Sequence, residues 1–556
     1  MATRADTVVA TCAALLVGGQ LAAQPGPSCG LVPVADALVA PTRTVATPLD
    51  RRLLDALRID DVGAFTRALS APASGGRGTA TDDGDAAARA IAERMRRIGL
   101  APLPGTTSLL APVPLMVTRL VADAASGMTI GGRLYRIPKD VAISPRGAAP
   151  GTIALRAPVV FAAYGAPVDG PAPPNAAPSV DGAVVVLLAG RPRGPAGDAW
   201  ASAGGLEGAR QRLRRAGARA VAIVGADDAQ PFAAIATGFA RPIVDTLPSA
   251  APAPGGAPTL LVRRVVADAL LAGAGLDLAR ARALADSAPA ARVASHDTVV
   301  VAARIERAPR VAYDVVGMLP GADRTLRAEA VVLSAHYDAF GRGADGSVYA
   351  GAADNALGVS TALAVADAVR RGGSPTARSI VVVATTGEEL GLLGARHWVS
   401  HGAWPAARMA ANLNFDGIGT EVLGPTRRIV AFGAEYSDLA RPLADAIAAT
   451  GRVGMPDPFA AQRPFYHSDN LAFAEAGVPS LMLLGWPDGD DGATMQRVGT
   501  WLSTAYHQPG DTVRADWSWE GPRALAEVGA LLASRLASVA ERPAWCAGAP
   551  FRRPTP

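Results

Sequence analysis

The sequence predicts an α/β protein: a mixed, mostly parallel sheet sandwiched by helices, its chain interrupted by a small β-rich insert. Three observations carry that reading. From Val311 onward, strand-like apolar runs alternate with loops and helix-like stretches. Three of those runs, VVLSAHYD, SIVVVATTGEE and MAANLNFDG, end in histidine or carboxylate side chains. Between residues 121 and 305 the texture changes to short strand-like pieces broken by Pro, Gly and Ala.

Taken in order, residues 1–23 read as a secretory signal peptide, in which Arg4 precedes an apolar run from Val8 to Val17 and Leu21-Ala22-Ala23 offer a cleavage site. The expected location is therefore secreted or periplasmic. Residues 24–120 are a proline-rich lead followed by helices that pack on the main domain. One helix is expected from Asp50 to Leu69. A second is expected across DAAARAIAERMRRIGL, where Ile91, Met95 and Ile98 recur at helical spacing and Gly99 marks the stop. SGGRGTATDDGD, between them, reads as a polar loop. In the insert, 121–305, strands are expected at Pro158 to Tyr164, Ala183 to Leu188, Ala220 to Val224 and Thr259 to Val262, with a helix from Leu206 to Ala216. Residues 306–544 form the main domain, with helices after Asn355, Glu389, Ser437 and Gly521, and residues 545–556 read as a loosely packed tail.

With 556 residues, half of them hydrophobic, the chain can build two or three cores. A net charge of +4 with no Lys/Arg stripe interleaved with aromatics gives no support to a nucleic-acid partner. After the signal, no apolar run reaches the ~18 residues that a stable membrane span needs. Of three cysteines, Cys12 leaves with the signal, and Cys29 and Cys546 remain near the two ends. An oxidising compartment favours their pairing, although nothing in the sequence brings them close. Oligomeric state leaves no trace in the sequence.

The chemistry gathers between Val331 and Asp416. Strand side chains alternate, so His336 and Asp338 leave the end of VVLSAHYD on one face, as a ligand and the group that orients it. Asp354 sits in GAADNALG, a run of small residues that lets a carboxylate approach an ion closely. Glu388 and Glu389 end the second run and Asp416 the third; His507 follows late, in TAYHQPGDT. In an open α/β sheet the carboxyl ends of the strands converge on one crevice, where these groups should meet. Zinc takes His nitrogen and carboxylate oxygen, and paired zincs share a bridging carboxylate, so the expected cofactors are two Zn2+ ions on His336, Asp354, Glu389, Asp416 and His507. Glu388 is then the acid left over, suited to take a proton from water.

These pieces resemble the di-zinc exopeptidases of metallopeptidase family twenty-eight. AHYD, GAADNALG, TGEELGLLGA, NFDGIG, FYHSDNLAFAEAGVPSLMLLG and YHQPGDT stand in that family's order, and RGTATDDGDAAARAIAERMRRIGL looks like its amino-terminal helix. FAAYGAP, VDGAVVVLLAGRP and RLRRAGARAVAIVG are similar to the protease-associated domain that many members carry. The resemblance implies a zinc-exopeptidase-type fold and a bridging Asp354 whose bond to Asn355 is cis. It implies one zinc on His336 and Asp416, and the other on Glu389 and His507. It also implies Glu388 as general base and Tyr506 as the hydroxyl that steadies the oxyanion. The segment with His467, Ser468 and Asp469 lines the substrate pocket in that family, which often has Ser-Asp-His where this chain has Ser468-Asp469-Asn470. Where relatives have Asn ahead of the first core strand, this chain has Asp314.

The expected function is a secreted aminopeptidase cutting the first bond of peptide substrates. Carboxypeptidase, glutaminyl cyclase and a non-catalytic binding module are the alternatives on the same scaffold. Singly, each feature has a plain explanation: a His-x-Asp pair is usually a hydrogen-bonded pair, and paired Glu at a helix start usually complements the dipole. Their joint order and spacing favour the metal site. His296, His397 and His401 have no such context and read as structural or solvent-facing.

Overall fold

The computed structural model describes residues 41–42, 45–146, 149–167, 177–225, 232–247, 257–343, 345–416, 424–489 and 491–553. The segment read as a signal peptide, and Cys29, lie outside these residues. Among the described residues no helix is long and apolar enough to cross a membrane. The chain divides into two compact units: Leu115–Arg310 with Gly343–Gly346 form one, and the rest of the described chain forms the other.

The larger unit begins with α1 (Pro48–Ala56) and α2 (Ile59–Leu69), where the sequence predicts one helix. In a continuous helix Asp60 and Asp61 would fall three and four positions after Leu57, on the apolar face. The break at Leu57 and Arg58, both outside helical φ/ψ, moves these carboxylates to the first turn of α2, where the helix dipole favours them. α3 (Asp82–Arg97) is capped by Thr81, whose hydroxyl accepts from Gly84 N, and buries Ala88, Ile91, Ala92 and Met95.

The smaller unit takes in most of β1 (Leu110–Val121) and holds a hairpin of β2 (Gly127–Ile130) and β3 (Arg133–Arg136). Gly131 and Gly132 turn that hairpin at φ 55° and 81°, a two-residue reversal that only glycine makes without strain. β4 (Val141–Ser144), β5 (Gly151–Phe161), β6 (Val184–Leu188), β7 (Ala220–Val224), β8 (Ile243–Thr246) and β9 (Thr259–Val262) follow. β5, β6, β7 and β9 are parallel neighbours in that order. Parallel strands need crossovers, and the helices of this unit are α4 (Pro195–Ser202), α5 (Gly205–Arg215), α6 (Phe232–Phe239), α7 (Arg264–Ala272) and α8 (Leu278–Ser287). The unit thus holds more helix than its strand-like texture predicts.

β10 (Val293–Leu319) serves both units in turn: residues 293–305 pair with β5, and residues 315–319 pair with β14 of the larger unit. The larger unit continues with β11 (Ala330–His336), the two-residue strands β12 (Gly341–Arg342) and β13 (Val348–Tyr349), α9 (Leu357–Arg371), β14 (Ser379–Thr385), α10 (Leu393–His401) and β15 (Met409–Asn414). β16 (Thr426–Phe432), α11 (Ala440–Ala449), β17 (Val453–Met455), α12 (Asn470–Glu475), β18 (Ser480–Pro487), α13 (Asp491–Thr504) and α14 (Glu520–Ser538) complete it. β14, β11, β15 and β18 are parallel neighbours, flanked by antiparallel β10 and β16. This is the mixed, mostly parallel sheet that the sequence predicts. Alternation of side chains covers both faces: Val331 and Leu333 join the core with α3, α9 and α14, while Val332 joins Trp398 and Phe473 of α10 and α12.

The tail is packed, not loose. Phe551 is buried in a cluster with Phe465 and Trp486, Trp545 donates to Gly477 O, and Arg553 donates to Met409 O and Ala410 O. Cys546 is disulfide-bonded, with its partner outside the described residues. The proline-rich composition hid these apolar anchors, which are too sparse to show a period.

Candidate metal centre

Three parallel strands deliver the site. β11 ends in His336, in register with Thr385 at the end of β14, and β15 ends at Asn414, two residues before Asp416. After β14, Gly387 at φ 71° and Gly391 at φ 115° fold Glu388 and Glu389 into a single 3-10 turn. The left-handed φ of Gly391 and Leu392 delays α10 to Leu393. Asp354 lies in an irregular turn, Ala352–Ala356, where its φ of −115° and ψ of 88° depart from the helix, and the Asp354–Asn355 bond is cis. The Asn355 amide holds that turn by donating to Phe415 O and accepting from Gly358 N.

Two ligand clusters form, each within 4.8 Å: His336, Asp354 and Asp416, and Asp354, Glu389 and His507. Asp354 belongs to both. Its Oδ1 lies 3.2 Å from His336 Nε2 and its Oδ2 3.1 Å from His507 Nε2. Asp416 Oδ1 is 3.6 Å from His336 Nε2, and Glu389 Oε2 is 3.1 Å from His507 Nε2. Donors about 2.0–2.2 Å from a tetrahedral zinc lie about 3.4 Å apart, so these spacings fit an ion at each cluster. His336 Nε2 and Asp416 Oδ1 are buried and make no hydrogen bond, although buried polar atoms are normally paired. A cation between them satisfies both, so the residues present fit two zinc ions.

Electrostatics point the same way. Burial alone would lower the His507 pKa, but the Glu389 and Asp354 carboxylates outweigh it and hold it at about 9. Burial likewise opposes charge on His336, and Glu388 and Asp416 push its pKa well up. Burial raises Glu388 well above the carboxylate range, with Glu389 and Asp416 adding to the effect and His336 opposing it. Carboxylates that push both imidazoles up in this way make the site one that favours positive charge.

The surrounding residues fix this geometry. His336 Nδ1 faces Asp338 O at 3.2 Å, closer than the Asp338 carboxylate at 3.7 Å. The sequence reading has the carboxylate in that role. Instead, Asp338 Oδ1 accepts from Glu388 N and Oδ2 accepts from Thr79 Oγ1, so the side chain positions the Glu388 turn and the main chain orients the imidazole. Ser468 Oγ donates to Asp416 Oδ2 at 2.6 Å and accepts from Asn414 Nδ2 at 2.8 Å. Asp469 is buried and accepts from Thr385 Oγ1. Both side chains thus face inward, while His467 is exposed. The Tyr506 ring stacks on His507 at 3.7 Å, and Phe340 meets the same imidazole edge-on at 4.6 Å. Burial and the nearby carboxylates, Asp354 first, push the Tyr506 hydroxyl well up, so it stays a donor.

Sequence reasoning missed Thr79, Arg77 and Asp511. Thr79 and Arg77 sit in the loop read only as polar, and Asp511 in the motif that supplied His507. The other histidines stand apart: His397 and His401 stack on each other at 4.9 Å, and His296 is solvent-facing.

The fold and site define a metallopeptidase of the zinc-dependent α/β kind. Residues 314–533 match the model described as peptidase family M28. A comparison with the curated proteins gives no match. Among solved structures, the chain resembles an aminopeptidase from Aneurinibacillus sp. strain AM-1 at 15% identity and TM-score 0.54, covering 91% of this chain and 100% of that one. It also resembles BSAP, a zinc aminopeptidase from Bacillus subtilis, at 17% identity and TM-score 0.55, covering 89% and 98%. At such identities the likeness is one of fold.

Proposed function

We propose that the chain is an exported di-zinc aminopeptidase that releases amino-terminal residues from peptides. The observation that carries this is the pair of three-ligand clusters sharing Asp354, with Glu388 beside them. The aminopeptidases of like fold support the exopeptidase direction. Arg4 and the apolar run after it support export, and the motifs around Phe161, Val180 and Arg212 support a protease-associated role for the insert.

His336, Asp354 and Asp416 would hold one zinc and Asp354, Glu389 and His507 the other. Bound zinc supplies Lewis-acid polarisation of the scissile carbonyl and lowers the pKa of water. Glu388, 3.9 Å from His336 and held at its backbone N by Asp338, takes the proton of the attacking water. It then returns that proton to the leaving amine. The Tyr506 hydroxyl donates to the tetrahedral oxyanion. His467 is the one residue of its segment exposed enough to meet a substrate side chain.

The test is a panel of aminoacyl-chromophore substrates and amino-blocked peptides, each with and without chelator. Release from free amines alone, abolished by chelation and restored by zinc, is expected. Equal cleavage of blocked peptides would remove the aminopeptidase assignment.

A further inference from the structure

Arg77 is fully buried, and none of its four hydrogen bonds reaches a carboxylate. Its Nε donates to Tyr337 O at 2.5 Å, Nη1 to Leu69 O at 2.9 Å and Ala350 O at 2.6 Å, and Nη2 to Gly351 O at 2.7 Å. Tyr337 lies between His336 and Asp338, and residues 350–351 lead directly into Asp354. One planar fork therefore ties the strand end that carries one ligand to the turn that carries the shared one. A lysine, with a compact ammonium, cannot span these carbonyls in the same plane.

The other side of the turn is held as well. Asp511 accepts from Ala353 N through Oδ1 at 2.9 Å and from Asp354 N through Oδ2 at 3.0 Å, and its carbonyl accepts from Ala352 N at 3.2 Å. Carbonyls 350 and 351 are thus gripped by a guanidinium, amides 353 and 354 by the Asp511 carboxylate, and amide 352 by the main-chain carbonyl of that same residue. There is no slack in this cradle. A Cβ at Gly351, whose φ is 57°, would lie 2.6 Å from both Ala339 Cβ and Asp354 O and 2.8 Å from Arg77 Nη2. The loop carrying Arg77 is itself pinned, since Gly341 N donates to Gly76 O and Gly78 bridges to Ala339.

We infer that Arg77 is a positioning residue for the metal centre: with Asp511 it clamps the 350–354 turn and so sets where the Asp354 carboxylate stands between its two imidazoles. This rests on the di-zinc reading above. Residues behind a ligand set commonly account for about 10–100-fold in metal affinity. The permanent charge of Arg77 also faces the excess of carboxylates at the site, Asp511, Asp338, Asp354 and Glu389.

The experiment measures zinc affinity of the full chain by competition with a chromogenic chelator, alongside zinc content, activity and the Tm of the metal-stripped protein. R77K is expected to lose about 10–100-fold in affinity for at least one ion, with activity recovering in excess zinc. D511N, acting on the same turn from the other side, should lose a similar factor. The double variant should lose less than the product of the two losses, because both act on one turn. Wild-type affinity in R77K, with only a lowered Tm, would overturn the inference by showing that Arg77 is merely structural. If R77K does not fold, D511N decides: unchanged affinity there overturns the clamp as well. A wild-type chain that binds no zinc would instead remove the di-zinc reading itself.

Discussion

The two halves of the metal centre are built differently. His336, Asp354 and Asp416 are all buried, and two of the three hang from the ends of adjacent parallel strands, β11 and β15. Asp416 is further braced by a chain of bonds running through Ser468, Asn414, Ser334 and Asn412. His507 sits on a loop at φ 57°, its side chain is 18% exposed, and aromatic stacking holds it in place of a hydrogen-bonded chain. The difference teaches that one half is positioned by the sheet and the other by a loop that local opening can release.

The largest effect should come from a residue that serves both halves without belonging to either. Glu388→Gln should cut turnover by about two to four orders of magnitude with KM little changed and zinc content intact. Loss of an ion on this substitution would make Glu388 a ligand. His507→Ala should cost activity that added zinc partly restores, whereas Asp416→Ala should cost activity that zinc does not restore. Equal rescue of both would end the comparison. Chelator titration of the unmodified chain should remove zinc in two phases, the faster one carrying off the ion on the His507 side; a single phase, or protection of that ion, would contradict the contrast. Ser468→Ala removes the brace on Asp416 and should weaken the tighter site by about 10-fold, leaving the looser one unchanged.

The smallest effect lies behind the strands. Asp314 is buried, accepts only from Thr386 N through Oδ1, and leaves Oδ2 unpaired. Burial, reinforced by Asp469 and Asp338, pushes its carboxyl well above the usual carboxylate range. An acid whose folded pKa is raised is easily ionised only when unfolded, so it destabilises the fold increasingly as pH rises above about 4. Asp314→Asn mimics the protonated form. It should match the parent Tm near pH 4 and exceed it by a few degrees at pH 7. Equal Tm values at both pH values would mean that this carboxyl is not held protonated.

The meeting of His336, Asp354, Glu389, Asp416 and His507 was legible because ends of parallel strands must converge, and because the order of the motifs left few other ways to bring two histidines and three acids together. The place of Glu388 next to that group was legible from its position beside Glu389. Arg77, Thr79 and Asp511 were not. They act through main-chain carbonyls, the Asp338 carboxylate and main-chain amides, contacts that leave no period and no motif of their own. The division of the first helix into α1 and α2 was readable in hindsight from Asp60 and Asp61, which fit the apolar face of no continuous helix. The role of Asp338 was half legible: its place next to His336 was clear, but which of its oxygens turns to the imidazole depends on Thr79, which is 259 positions away.

Gly78 bridges to Ala339 across the whole length of the insert. A chain emerging from its amino end therefore presents α1, α2 and α3 long before the strand that completes them exists. Contacts so distant in sequence slow the search for the native state and leave apolar helix faces such as Ile91 and Met95 uncovered meanwhile. The order of synthesis favours an insert that folds on its own as soon as it is complete, bringing its two ends together so that the interrupted unit can close. Deleting residues 115–310 and joining the ends with a short linker should therefore speed or slow maturation far more than it changes the finished site.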